Sequence, residues 1–141
     1  MLGYWRRPEA EAEVFRGEWF VGGDVAELDA DGYVWLHGRR DDLMNAQGYR
    51  VSPAEVEAVL SHAPGVADVA VAEREAREGV SIVCGFIVPA PGATPDEAAL
   101  AAHCAEHLAA YKNPKKYIFL KSLPRTRNGK VARRLLPEIA D

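Results

Sequence analysis

The stretch SPAEVEAVLSHAPGV, residues 52–66, limits the fold more than any other. It carries both the start and the stop of one short helix. Ser52 stands at the N-cap, Pro53 at the first helical position and Glu55 where it completes a capping box; Pro64-Gly65 is the stop. Val56, Val59 and Leu60 give the helix its buried stripe. Two β-rich runs follow at once, VADVAVAERE and GVSIVCGFIVPA, around a charged turn at 75–79. A second helix is expected over roughly 96–108, capped by Thr94 or Asp96, with Leu100, Cys104 and Leu108 at i, i+4 and i+8. KKYIFLKSLP reads as a short strand closed by Pro124, and residues 131–136 as one or two helical turns. Upstream, DVAELDADGYVWLHG is a β-hairpin about the turn Asp29-Ala30-Asp31-Gly32. Residues 1–20 show no sustained period. This order predicts a small α+β domain, a short β-hairpin followed by a three-stranded sheet flanked by helices.

At 141 residues the chain suits one domain or one domain with an extension. No apolar run approaches the ~18 residues of a membrane span. The start, MLGYWRRPEAEAEVFRGEW, lacks the basic end and apolar stretch of a signal peptide, so a cytoplasmic location is expected. Cys84 and Cys104 have no CxxC or metal spacing and read as reduced, buried thiols. Charge is uneven. From Tyr111 onward nine Lys/Arg face Glu138 and Asp141, a balance of +7, while residues 1–110 carry −11. A basic end on an acidic body fits a local anion site better than a nucleic-acid surface.

Three stretches carry candidate chemistry. LPRTRNGKVARR places Lys130 after an Asn-Gly turn. It is not a phosphate P-loop, because Pro124 stands where the first glycine is needed and Val131 where Ser/Thr must follow the lysine. Asn-Gly can adopt positive φ and project Lys130 outward, although a basic surface hairpin explains the stretch equally well. GRRDDLMNAQGYR combines a flexible Gly38, a donor fork at Arg39 and paired acids; its plainer reading is a solvated charged loop. GGDVAELDADGY sets Asp24 behind two glycines, a good place for a carboxylate that accepts two ribose hydroxyls, and also a common place for a turn aspartate. His103 and His107 lie at i, i+4, but no third ligand is placed beside them, so no metal site is expected.

Taken in order, GYWRRPE, GEWFVGGD, DGYVWLHGRRDDLMNAQGYRVSPAEVE and LPRTRNGKVARR resemble the C-terminal region of the adenylate-forming superfamily, and most closely its acyl-CoA synthetases. The match runs from Gly3 to Leu135. The resemblance implies a two-step reaction: a carboxylic acid and ATP, with Mg2+ in the full enzyme, give acyl-AMP and pyrophosphate, and CoA then displaces AMP. It implies a small C-terminal domain acting as a mobile lid with one pose for each step. By the same resemblance, Asp24 and Arg39 contact the ribose of AMP, Asp41 is the hinge, Gly48, Tyr49 and Arg50 line the CoA tunnel, and Lys130 is the adenylating lysine. Gly22 stands before Gly23-Asp24 where the family usually has threonine, and Asn45 stands where lysine is common. Residues 1–40 correspond to the tail of a large N-terminal adenylation domain, the expected partner, and residues 41–141 to the lid. The acyl pocket belongs to that larger domain, so the chain alone is expected to be inactive, and aryl, short-chain and medium-chain acids stay open. An exposed tail could also re-pair as a swapped homo-oligomer. Two other readings are the lid of a peptide-synthetase adenylation module and a stand-alone, non-catalytic binding module. The acidic pair after Arg40 favours the CoA ligase.

Overall fold

The structure is a computed structural model in which residues 3–46 and 48–139 are described. The described residues fall into two compact units, one ending at Asp42 and one beginning at Leu43.

The first unit opens with a helix α1, Pro8–Val14, with proline in its first turn and Glu9 and Glu11 beside its N-terminus. Acidic side chains there oppose the positive end of the helix dipole. None of its residues is buried, so it has no apolar stripe for a sequence period to reveal. A two-residue hairpin follows, β1 (Phe15–Arg16) with β2 (Trp19–Phe20), and Phe15 and Phe20 meet edge to face at 5.6 Å. Then come β3 (Asp24–Leu28) and β4 (Val34–Arg39), antiparallel, with a register shift at Val25/Ala26. Asp29 shapes their turn. Its carboxylate accepts from the Asp31 and Tyr33 amides at 3.0 and 2.9 Å and from the Trp35 indole at 2.8 Å.

Those donors, the Trp35 indole first, hold the Asp29 carboxyl below the ordinary aspartate value of 3.8. A depressed folded pKa contributes stability that is present above 3.8 and is lost as pH falls through the lower folded value. The Trp35 indole N–H resonance is therefore expected to hold steady from neutral pH down to that value and to move below it. Asp29→Asn should abolish that acid-side movement; a resonance that titrates identically in the variant would refute the assignment.

The second unit holds the core. A small hairpin, β5 (Met44–Ala46) with β6 (Tyr49–Val51), leads into α2, Pro53–Leu60. Proline starts α2 as expected, but the Ser52 side chain makes no capping hydrogen bond. Glu55 reaches Lys112 at 2.5 Å. The main sheet has the order β7 (Val66–Arg77), β8 (Val80–Pro89), β9 (Lys116–Phe119). β7 and β8 are antiparallel, and β9 runs parallel to β8 after a crossover through α3, Glu97–His107. Asp96 caps α3, accepting from the Ala99 amide at 2.8 Å.

Alternation along the strands divides the buried residues between two faces. Val71, Val83, Ile87 and Tyr117 pack with Val56 and Leu60 of α2, Leu100 and Cys104 of α3, and Met44 and Val51 of the small hairpin. Ala70, Ala72, Cys84, Phe86 and Ile118 pack with Leu123 and Leu136. Gly85 matters here: a Cβ would stand 3.2 Å from Tyr117 and 3.4 Å from Leu60. The second face is covered by residues near the C-terminus, which turn in a 3-10 stretch, Arg133–Glu138, two residues later than the helical turns expected from sequence. No helix among the described residues is long and apolar enough to cross a membrane. Cys84 and Cys104 are buried and form no disulfide.

Candidate functional site

In the first unit, Asp24, Arg39 and Asp41 come together. Asp24 opens β3 and Arg39 closes β4, paired across the hairpin. The Arg39 fork donates to the Gly22 carbonyl at 3.0 Å, to Asp24 at 3.5 Å and to Asp41 at 3.2 Å. The adjoining backbone is fixed by the Arg40 amide on the Gly23 carbonyl at 2.8 Å, and Gly23 takes φ +76°. A side chain at Gly23 would stand 3.2 Å from the Arg39 guanidinium and would be strained at that φ. At Gly22, where threonine is usual, a Cβ would stand 3.6 Å from Asp24 and 3.7 Å from Phe20, so nothing in the structure requires glycine there. The carboxylates, Asp41 first, raise the Arg39 pKa further above its ordinary range. Asp41 lies in a 3-10 turn, Arg40–Asp42. All three side chains are exposed, so the cluster can exchange its internal bonds for a ligand's hydroxyls at small cost.

In the second unit, Gly48, Tyr49 and Arg50 form the turn and return strand of the small hairpin. Gly48 has φ +92°. Asn45, in the position often occupied by lysine, accepts from the Gly48 amide through its side chain at 3.0 Å, while its own amide donates to Glu73 at 2.7 Å. Asn45 thus shapes the turn and ties it to β7. Tyr49 stacks on Tyr111 with centroids 4.5 Å apart and planes 25° apart. Beside them runs a small groove lined by Ala46, Ser81, Ile82, Val83, Tyr111, Asn113 and Lys115. Asn113 contributes a buried Oδ1 with no hydrogen-bond donor among the described residues. Neither Tyr111 nor Asn113 stood out in the sequence; each becomes visible only where β8 brings Ser81 and Val83 against them.

Lys130 sits exposed on a separate turn of the same unit. The Thr126 amide donates to the Lys130 carbonyl at 2.7 Å and the Gly129 amide to the Thr126 carbonyl at 2.9 Å. Gly129 takes φ +79° while Asn128 keeps a negative φ, so the glycine alone supplies the left-handed residue. Arg125 and Val131 pair across the neck. The neighbouring arginines have different occupations. Arg125 donates to the Gly129 carbonyl at 2.8 Å and to Asp68 of β7 at 2.5 Å. Arg133, from the same basic run, is half-buried and donates to Glu57 of α2 and to the Val71 carbonyl. It is a structural brace and is not free to bind a phosphate.

His103 and His107 touch, with ring centroids 4.7 Å apart, but bond to the Val59 and His103 carbonyls. No cluster of three His, Cys, Asp or Glu groups placed for a metal occurs among the described residues. Burial raises the pKa of the Cys104 thiol, and burial together with the Cys104 contact raises that of the Tyr117 hydroxyl. Both groups are therefore neutral core members at ordinary pH.

The profile of the AMP-binding enzyme C-terminal domain matches residues 55–130. The chain is 44% identical over 137 residues to 2-succinylbenzoate–CoA ligase of Geobacillus kaustophilus, a match covering 97% of this chain and 28% of the relative. It is 37% identical over 135 residues to the long-chain-fatty-acid–CoA ligase FadD13 of Mycobacterium tuberculosis, covering 96% and 27%. Among solved structures, o-succinylbenzoate CoA synthetase (MenE) from Bacillus subtilis, in complex with its acyl-adenylate intermediate, superposes with a TM-score of 0.92 at 32% identity, covering 100% of this chain and 29% of that one. ATP-bound MatB from Rhodopseudomonas palustris gives 0.87 at 38% identity, covering 97% and 27%. The chain thus spans little more than a quarter of the length of the relatives it matches. It belongs to the AMP-binding enzyme C-terminal domain family of the adenylate-forming enzymes.

Proposed function

We propose that this chain supplies the C-terminal lid of an AMP-forming acid–CoA ligase, with residues 1–40 as the tail of the N-terminal adenylation domain and residues 41–141 as the lid. The observation that carries the reading is the match of nearly the whole chain to one quarter of several CoA ligases. The N-terminal domain is its partner and supplies the acyl pocket. The exposed Trp35, Leu36, Tyr33 and Leu28 of the first unit are the apolar surface that this partner would cover.

In the first half-reaction a carboxylate oxygen attacks the α-phosphorus of ATP, and the bond to pyrophosphate breaks. Lys130 stands between the attacking carboxylate and the phosphate oxygens. Its ammonium holds the nucleophile in line and offsets the charge gathered in the transition state. Asp24 accepts from the ribose hydroxyls, and Arg39 adds donors to the same sugar. In the second half-reaction the CoA thiolate attacks the acyl carbonyl and AMP leaves. The lid has by then turned about Asp41, and Gly48, Tyr49 and Arg50 flank the pantetheine arm. Magnesium travels with the ATP phosphates, and no step is assigned to a metal held by this chain.

The test is a chimera in which the 141 residues replace the matching quarter of the Geobacillus kaustophilus ligase. Thioester formation from 2-succinylbenzoate, ATP and CoA is expected, while the chain alone gives no acid-dependent pyrophosphate exchange. A folded chimera that binds ATP yet forms no acyl-AMP would sink the proposal, as would exchange by the isolated chain above a blank.

A further inference from the structure

We infer that Arg125 and Asp68 are positioning residues for adenylation, acting as a bracket that fixes the Lys130 turn to the central sheet. The inference rests on the reading of Lys130 given above. A three-residue turn with one glycine in the left-handed region does not by itself aim a long side chain. What distinguishes this turn is that its last carbonyl before the lysine, that of Gly129, is held from outside the turn. One Arg125 nitrogen donates to it at 2.8 Å. The other nitrogen donates to Asp68 Oδ2 at 2.5 Å. Asp68 in turn is fixed, because its Oδ1 accepts from the Val69 amide at 3.0 Å. The chain of contacts therefore runs from the peptide bearing Lys130, through one planar guanidinium, to a twelve-residue strand.

The backbone supports the same geometry. The Ala132 amide donates to the Pro124 carbonyl at 2.8 Å, and Arg125 pairs with Val131, so the neck of the turn is closed below the bracket. Arginine suits the task because its donors leave one rigid plane at a fixed angle, whereas the three donors of a lysine radiate from one nitrogen and hold no such plane. Both side chains are partly solvated, 47% exposed for Arg125 and 38% for Asp68, so the pair adds little to global stability. Its effect is local, on where the ammonium of Lys130 stands when the lid closes. Arg125 would otherwise be read as one more cation meeting a phosphate. The two roles differ in what they require of Asp68: a bracket needs the carboxylate, whereas a phosphate-binding cation is weakened by it.

The experiment uses Arg125→Gln, Arg125→Lys, Asp68→Ala and the double variant Arg125→Gln/Asp68→Ala in the chimera, with single-turnover acyl-AMP formation as the first readout. Arg125→Gln and Asp68→Ala should each slow that step about tenfold, as expected for a modest misplacement of a catalytic group. The double variant should be no slower than the worse single one, since both break one connection. Arg125→Lys should fall between, and KM for ATP and thioester formation from supplied acyl-AMP should stay at parental values. An Asp68→Ala enzyme that adenylates at the parental rate overturns the bracket, and so does a double variant whose losses multiply. A loss shared equally by both half-reactions marks a folding defect and also counts against it. The second readout is amide exchange at Thr126 and Gly129 in the 141-residue chain, expected to quicken in both single variants. Unchanged exchange overturns the bracket whatever Lys130 does. Quickened exchange with an unimpaired Lys130→Ala enzyme would overturn the catalytic reading instead.

Discussion

Replacing Lys130 by alanine in an active chimera lowers acyl-AMP formation by about 10²–10³-fold, the loss expected when one preorganised donor to a developing charge is removed. Thioester formation from supplied acyl-AMP keeps its rate. The expectation follows from where the residue stands. Lys130 is exposed at the tip of a turn whose hydrogen bonds are made by its backbone carbonyl and by Gly129, Thr126 and Arg125. Removing the ammonium therefore leaves the turn intact and subtracts only the charge delivered to the α-phosphate. Lys130→Arg should recover little, because a planar fork does not occupy the place of a compact ammonium. The check is both half-reactions on one preparation. Equal losses in the two would remove the assignment of this lysine to one lid pose.

Asp41→Pro is expected to invert that pattern, with acyl-AMP formation near parental and CoA transfer reduced by about 10²-fold or more, since a reacting group held out of place by a wrong lid pose costs at least that much. Asp41 lies in the 3-10 turn Arg40–Asp42, whose φ values near −60° proline accepts. Proline also restricts Arg40 before it. A pivot that must change φ and ψ between two poses is thereby held in one. The lost Arg39–Asp41 pair is exposed and adds little to stability, so folding should be unaffected. We expect the adenylating pose to be the one retained. Thioester formation at the parental rate would show that the pivot lies elsewhere.

Much of this architecture could be read from punctuation. Pro53 and Pro64-Gly65 bound α2, Asp96 caps α3 and Gly32 closes the β3–β4 turn, because each of these residues acts on backbone within four positions of itself. The helix Pro8–Val14 escaped, since all of its faces are solvated and no apolar period marks it. The bond from Lys112 to Glu55 could not be read, because the two residues are 57 positions apart. The site divides along the same line. Lys130 and Asp24 could be singled out from their local turns, but the sharing of Arg39 by Asp24 and Asp41 could not, and the basic run from Arg125 to Arg134 could not be sorted. Arg125 is taken by Asp68 and Arg133 by Glu57, and no local rule connects those positions.

The dependence of the Lys130 turn on β7 has a consequence for synthesis. β7 and β8 are sequence neighbours and can pair as soon as both have left the ribosome, whereas β9 must wait for α3 to carry the chain across. Arg125 and Arg133 come later still, and they close on Asp68, Glu57 and Val71, made long before. Until then Phe86 and Ala70 lack Leu123 and Leu136 over one face of the sheet, an apolar surface open to other nascent chains. A chain that stops a few residues before Arg125 would thus hold most of its first core layer and none of the Lys130 turn. The segment from Leu123 to Leu136 that covers the sheet also carries Lys130, so premature termination before it leaves an open apolar face and no lysine turn.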